Sequence, residues 1–584
     1  MGSLLCHDQF NLDVYSNPRL PREVFQDTQV VQLKLESKKS LIMHGRLEKK
    51  RPLKESHGGE SQVSMQTSFE DWVVCDESYQ LALQSLDQMR ANILAYRYKL
   101  PPRLVSQTSE SELIRTFERA VARLALKHPN LHIGIVGEHT DRPSWVRLDS
   151  LDMRYHIEWR VIKGSVEHLQ KDFQDICYKE LDTKFTNYRT TPGWRLKVLR
   201  QEGGDSIEVL LVLNHTNMDG GSARTFHRDL LQFLQDDPQL PQDLPLRDHI
   251  LALPMDSTAQ LSPPAEDLVA FPVDPSAMKY YLQQEVRTPA SKYPRTPTQA
   301  LWAPIAAAPF KTQFRTITIP KDILSRLVEA CRHHKTTLTG LLHALIFVSL
   351  SPLLGPSQAS AFESLTAIDL RRFLPSGHPS YPWCNPVRAM NNYVTIQNHI
   401  FDEDSVERLN TLISPEGTER FQSGPLMELM WTAARQVRGD LEAKLEQGLH
   451  NDMNGFAQVV SDWRAQLSEE ARRPRRTSWV ITNLGLIDGN STDSSHSIDQ
   501  IDAWAITRTQ FIMCANVVAS AIGVSTAAVK GGDLIITCAW QDCVIDKKLG
   551  DAFVTSLEIW LKFTSRYSGG WPAPGPRGAA TQFP

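Results

Sequence analysis

The chain has 584 residues, room for two to four domains at ~150 residues each, and its 41% hydrophobic and 22% charged residues describe an ordinary globular protein, not a collagen, a coiled coil or a disordered chain. Its 63 Lys and Arg against 67 Asp and Glu leave a formal charge of −4, so no global field draws it to nucleic acid or anionic lipid. Eight cysteines (Cys6, Cys75, Cys177, Cys331, Cys384, Cys514, Cys538, Cys543) form neither a CxxC pair nor a paired framework, which disfavours a zinc module or a stapled fold and suits reduced thiols in the cytoplasm.

The opening MGSLLCHDQFNLD has neither the basic start nor the apolar run of a secretory signal, and Cys6 stands where a myristoylation signal wants Ser or Thr. Residues 1–88 hold few apolar periods and the charged stretch LEKKRPLKESHGGESQ, so they are expected to be a poorly structured or loosely docked extension. From residue 89 the pattern changes. ANILAYRYKL predicts a strand that stops at Pro101-Pro102. TSESELIRTFERAVARLALKHP predicts an amphipathic helix, with Leu113, Phe117, Val121 and Leu124 at helical spacing and Ser109 with Glu112 as a capping box. Strands are expected at 131–136, 145–148 and 157–161 and a helix at 166–181.

SIEVLLVL, residues 206–213, is a continuous apolar run of the kind that is buried on both faces of a sheet. It ends in polar Asn-His-Thr-Asn, and a helix with Phe226, Leu230 and Leu231 on one side follows Gly220-Gly221. Residues 236–300 carry eleven prolines and read as a crossover between halves, so the first half spans 89–299. A second half, 300–566, opens with the strand RTITIP and the helix KDILSRLVEACRHH. Leu338–Gly355 has about the length of a membrane span, but His343 and Pro352 favour a buried core helix. Further strands are expected at 361–369, 393–397, 478–482, 511–519 and 533–540, then a helix at 547–563 and a flexible tail from 567 to 584. Both halves mix strands and helices, so the fold class is α+β.

The sharpest motif is His215-Thr216-Asn217-Met218-Asp219-Gly220 at the end of the buried strand. With this composition an HxxxDG arises by chance in about one chain in twenty, so its strand-turn-helix context carries the weight. The other HxxxD, His168 to Asp172, lacks the glycine and falls inside an expected helix. A neutral imidazole held on a tight turn suits proton abstraction from a hydroxyl or thiol. Asp219 is expected to brace the turn through an arginine, and Gly220 to allow a conformation that a Cβ would forbid. An isolated histidine more often only caps a strand; the surrounding pattern reverses that weighting here. His227 is expected to be a surface or satisfied helical histidine, and without a third ligand no metal site is assigned.

The chain resembles the fungal alcohol acetyltransferase family, within the chloramphenicol acetyltransferase-like or HxxxD acyltransferase superfamily. The resemblance runs from about Asn92 to Phe563 and rests on ordered pieces: ALKHPNL, LNHTNMDGGSARTFHRDLL, TTLTGLLHALIFVSL, TAIDLRRFLP, Asn392-Tyr393, SWVITNLG and KGGDLIITCAWQDCVID. It implies two chloramphenicol-acetyltransferase-like halves around a central tunnel. His215 would be the general base, and acetyl-CoA would be a co-substrate rather than a bound cofactor. The acceptor would be a small-molecule alcohol. Gly220 matches the motif glycine, Asn483 and Gly485 match a segment near the tunnel, and Asp369, Arg371 and Arg372 match a polar stretch that braces the halves. The family's opening Arg- and Gly-containing motif has only Arg51-Pro52-Leu53 as counterpart, and the late Asp-Phe-Gly-Trp-Gly signature of plant members is absent. A monomer with no nucleic-acid partner and no transmembrane segment is expected, in the cytoplasm or peripheral at the endoplasmic reticulum or lipid droplets.

Direct transfer needs no nucleophilic residue, in keeping with the missing GxSxG elbow, and no Rossmann or P-loop fingerprint stands out. Two alternatives stay open: acyl or condensation-type transfer to an amine or carrier-bound acceptor, disfavoured because Asn214 stands where condensation domains have a second histidine, and an inactive binding or scaffold protein of the same fold.

Overall fold

The computed structural model describes residues 71–72, 75–106, 109–235, 244–254, 260–293, 296, 298–413, 424–490 and 503–567. It divides into two units. Of the first, only residues 274–279 are described, part of the helix Pro275–Tyr281; the second, residues 65–273 and 280–584, holds everything below.

The stretch read as an extension through residue 88 contains helix α1 (Cys75–Ser85), so that boundary moves. Leu81, Ala82 and Leu83 are buried, and Leu83 joins a cluster with Phe173, Leu210 and Ile512. The sparse apolar periodicity of the first 88 residues concealed one short helix with a tightly packed face. Residues 1–70 and the tail from 568 lie outside the described residues.

Strand β1 (Asn92–Lys99) and helix α2 (Glu110–Lys127) follow as expected, but Ser109 does not cap α2 through its side chain; its hydroxyl donates to Ser106 O at 2.7 Å. Next come β2 (Ile157–Ile162), α3 (Val166–Asp182), β3 (Trp194–Gln201), β4 (Ser206–Leu213) and α4 (Gly220–Gln235). Past the proline-rich stretch lie β5 (Thr312–Ile319), α5 (Lys321–His333), α6 (Leu338–Leu354), β6 (Phe362–Asp369), β7 (Val394–Phe401) and α7 (Gly424–Gln447). The chain closes with β8 (Trp479–Ile487), β9 (Ala505–Ile512), β10 (Ile522–Val529), β11 (Leu534–Gln541) and α8 (Lys547–Thr564).

Two mixed sheets organise these elements. The larger has the order β5-β11-β10-β8-β6-β7, in which β8 runs parallel to both its neighbours β6 and β10 and the other pairings are antiparallel. The smaller has the order β9-β1-β4-β3-β2, and its edge strand β9 comes from the second half of the sequence. Ile512 pairs with Ile93 and Phe511 with Leu94, while Ser525 in β10 donates to Phe511 O at 2.5 Å, so β9 stitches one sheet to the other. The halves are therefore not self-contained.

Helix α6 is apolar all round because it is enclosed all round: residues 340–351 are buried without a break. Thr337 caps it by accepting from Gly340 N at 3.1 Å. His343, which argued against a membrane span, is anchored in the core: Trp479 Nε1 donates to its Nδ1 at 2.9 Å, and its Nε2 meets Thr366 Oγ1 at 2.9 Å. Among the described residues no single helix is long and apolar enough to cross a membrane.

Candidate active site

β4 is buried along nearly its whole length because β1 and β3 flank it and α3 and α4 cover its faces. Directly after it, Asn214 Oδ1 accepts from Thr216 N at 2.9 Å, a side-chain turn that halts the strand and presents His215 at the bend. The His215 carbonyl accepts from Asn392 Nδ2 at 3.0 Å, which ties the bend to the segment before β7. Its Nδ1 is buried without a hydrogen-bond partner, and the residue as a whole is partly exposed. Burial pushes the imidazole below its ordinary pKa, and weaker pulls from its own backbone carbonyl and Asp219 do not restore it. The ring is thus neutral near pH 7.

Four residues on, Asp219 is buried and fully bonded. Its Oδ2 accepts from Arg371 Nη1 at 2.7 Å and Tyr393 N at 3.0 Å; its Oδ1 accepts from Arg371 Nη2 at 3.0 Å and Ser222 N at 2.7 Å. Burial alone would raise this carboxyl, but the Arg371 charge and these hydrogen bonds hold it below the ordinary carboxylate range. Arg371 also donates to Ser222 Oγ, Ala389 O and Asn391 O, and at 3.1 Å to Asp369 Oδ1. The arginine expected to hold the turn is therefore Arg371, and the bidentate pair clamps the start of α4 onto the end of β6.

Gly220 does not stand out by its backbone conformation, contrary to the expectation. It is absent from the positive-φ glycines; instead a Cβ there would lie 2.6 Å from Leu484 Cδ2. Gly221 is tighter still toward the brace, since its Cβ would lie 2.5 Å from Arg371 Nη1. Gly485 is the one with a left-handed backbone, at φ +71°. Asn483 donates to Thr339 Oγ1 in α6 at 3.1 Å and accepts from Gly485 N at 2.8 Å. Asp369, Arg371, Asp219 and Gly220 thus gather at one junction, whereas Asn483 and Gly485 reach it through Leu484.

His227 is neither on the surface nor in the site. It stacks on Tyr96 at 4.0 Å, its Nδ1 meets Tyr98 Oη at 2.9 Å, and its Nε2 meets Leu94 O at 3.0 Å. Among the described residues no group of three His, Cys, Asp or Glu side chains is placed to hold a metal.

Sequence reasoning missed Ser222 and Asn391, whose hydroxyl and backbone exchange bonds at 2.6 and 2.9 Å and seal the brace from the α4 side. The only signal was their adjacency to Asp219-Gly220 and to Asn392-Tyr393. Buried polar atoms without a protein partner concentrate at the turn: Asn214 Nδ2, Thr216 Oγ1, both side-chain polar atoms of Asn217, and Asn392 Oδ1. Such atoms are costly unless a polar ligand or solvent meets them. A cavity of about 480 Å³ opens beside the brace, walled by Gly221, Arg224, Asp369, Arg371 and Arg388 among others. Another, of about 340 Å³ and lined by Arg97, Phe173, Glu208 and Arg508, lies toward the opposite end of β4 from His215.

Two mixed sheets joined by a lent strand, with the motif histidine at a buried strand end, place the chain in the fold class of O-acetyltransferases and peptide-synthetase condensation domains. The trichothecene 15-O-acetyltransferase TRI3 of Fusarium sporotrichioides superposes with a TM-score of 0.58 at 13% identity, covering 83% of this chain and 94% of that one. The first condensation domain of the calcium-dependent antibiotic synthetase gives 0.54 at 11% identity, covering 86% and 97%. The chain belongs to the alcohol acetyltransferase family, whose family model matches residues 166–538, and it is an acyltransferase. Its relatives include the probable alcohol acetyltransferases FCK4 of Fusarium pseudograminearum, 26% identical over 78% of this chain and 86% of the relative, and crmB of Aspergillus fumigatus, 23% identical over 80% and 94%.

Proposed function

We propose that the protein transfers the acetyl group of acetyl-CoA to the hydroxyl of a small-molecule alcohol, with His215 as general base and no covalent enzyme intermediate. The observation that carries this reading is the neutral His215 imidazole on a turn locked by the Asp219–Arg371 pair. Nε2 accepts the hydroxyl proton as the alcohol oxygen attacks the thioester carbonyl. The tetrahedral intermediate then collapses, the carbon–sulfur bond breaks, and the imidazolium returns the proton to the departing thiolate, leaving an acetyl ester and free CoA. No residue of the enzyme is acylated. Asp219 stays ionised and positions the turn.

Transfer to an amine in condensation-domain fashion is the weaker reading. At the position of a second histidine stands Asn214, whose Oδ1 is committed to Thr216 N. The six unpaired thiols among the described residues support a place in the reducing cytoplasm.

The test is to incubate the pure protein with acetyl-CoA labelled in the acetyl group and a panel of alcohols, from short chains to polycyclic ones. Labelled ester should form with wild type, fall away with His215→Ala, and leave no label on the enzyme. Label on the protein, or acceptance of amines alone, would overturn the reading.

A further inference from the structure

The cavity beside the brace holds an unusual concentration of like charge. Arg224 and Arg228 project into it from α4, four residues apart and so on the same helix face, where two cations repel. Arg371 and Arg372 enter from the turn after β6, and Arg388 from the loop before β7. The carboxylates in this wall, among the described residues, are Asp369 and Asp488.

Among the described residues, Arg224 and Arg372 form no ion pair. Arg371 is committed to Asp219 and Asp369. Arg228 and Arg388 share one buried carboxylate, Asp229, at 3.1 and 3.4 Å, and Lys127 at 2.9 Å and His128 at 2.7 Å hold it already. Among the described residues, Arg224 makes only a 3.5 Å contact to Leu486 O, and Arg372 is exposed with no ion-pair partner. Burial, Arg388 and Arg224 all weigh against the charge on Arg228. In a protein of net charge −4, a partly enclosed pocket of mutually repelling arginines is a local cost that an anion would relieve.

We propose that this cleft is a phosphate-binding site, in which Arg224, Arg228, Arg372 and Arg388 take the phosphate groups of a phosphate ester of nucleotide size. Guanidinium forks match phosphate oxygens two at a time, which a set of lysines would not do. A cavity of about 480 Å³ exceeds what one phosphate fills, and Leu231, Val387 and Ile506 give it an apolar wall for the rest of such a molecule. Two sources share this chemistry: the nucleotide end of acetyl-CoA, in which case the inference rests on the function proposed above, and a free phosphorylated compound, in which case it does not.

The test is calorimetric titration of the full chain with inorganic pyrophosphate and with CoA, beside the exposed-residue variants Arg224→Gln, Arg372→Gln and their combination, with melting temperatures checked. Wild type should bind pyrophosphate, and the double variant should bind it at least 10-fold more weakly at an unchanged melting temperature. If wild type does not bind, or the double variant binds equally well, the site is overturned. Pyrophosphate acting as a competitive inhibitor against acetyl-CoA assigns the cleft to the donor; pyrophosphate that binds without changing KM for acetyl-CoA assigns it to a free phosphate compound, and either result sustains the site. Failure of the acetyl-CoA reading shows separately, as no turnover with pyrophosphate binding intact.

Discussion

His215 is useful to the extent that it stays unprotonated, and its burial works in that direction. A base with a lowered pKa remains competent as the medium becomes more acidic, so the acid limb of kcat/KM should fall below the ordinary histidine value of about 6.5. A limb at or above that value would mean the burial argument fails. His215→Ala should lose about 10²- to 10⁴-fold in rate with the melting temperature nearly unchanged, because the ring itself bonds little. Asp219 answers to a different test. Removing its charge leaves the buried Arg371 with only the half-exposed Asp369 as counter-charge, a loss of up to about 3–5 kcal/mol for a broken buried pair, so Asp219→Asn should lower activity and thermal stability together. A variant that kept its melting point and lost only one limb of its pH profile would show Asp219 to be titrating instead. Both residues were legible in the sequence because six consecutive letters carry them. Arg371 was legible only as a member of a polar stretch: it sits 152 residues away, and a tertiary contact decides that it, not Arg372, meets Asp219.

Elements with strong apolar runs were read nearly to the residue, as β4 and α8 show, since burial on one or both faces dictates their composition. The misses have physical reasons. β9 was placed at 511–519 but spans Ala505–Ile512, where its polar alternate residues Arg508 and Gln510 weakened the apolar signal. β10, IGVSTAAV, is built of small residues because it is sandwiched between β8 and β11, and small residues give little periodicity. α7 opens on Gly424-Pro425 and carries Gly439, each a weak helix signal, and its packing against α6 supplies what propensity does not. α1 was missed for want of length, and it makes a sharp prediction. A chain truncated to begin at Asp71 should fold and keep most activity, whereas one beginning at Gln88 should be insoluble or strongly destabilised, because it uncovers the cluster of Phe173, Leu210 and Ile512. Equal solubility and melting temperature for the two chains would show that α1 is dispensable.

Over the whole molecule, buried neutral histidines set the response to acid. Burial, with Arg147 adding to it, lowers His132 to about 4; burial lowers His156 to about 4 and His227 to about 3, and burial with His399 keeps His343 well below its usual value. In the unfolded chain each takes up a proton near pH 6.5, whereas in the folded protein His132, His156 and His227 do not until the pH is near 4 or lower, and His343 titrates well below its usual value. The unfolded state therefore binds more protons throughout that window, and stability falls as pH drops through it, by about 1.4 kcal/mol per pH unit for each histidine. Above pH 7 these groups add nothing further. Urea midpoints from pH 8 to pH 4.5 would test this: a plateau followed by a steep decline below about 6.5 is expected, and a flat profile down to pH 5 would refute it.

The lent strand β9 also has a consequence for the birth of the molecule. Its partner β1 ends at Lys99, and β9 begins at Ala505, so about 400 residues of synthesis separate the two edges of one ladder. At roughly 5–20 residues per second the ribosome takes on the order of 20–80 seconds to bridge that interval. During it, Ile93, Leu94 and Ala95, all buried in the finished protein, lie on a strand with one edge unclaimed. The smaller sheet therefore keeps that edge open until residues 505–512 have been made. Chains terminated before residue 505 should accordingly be the aggregating species, however complete their histidine motif.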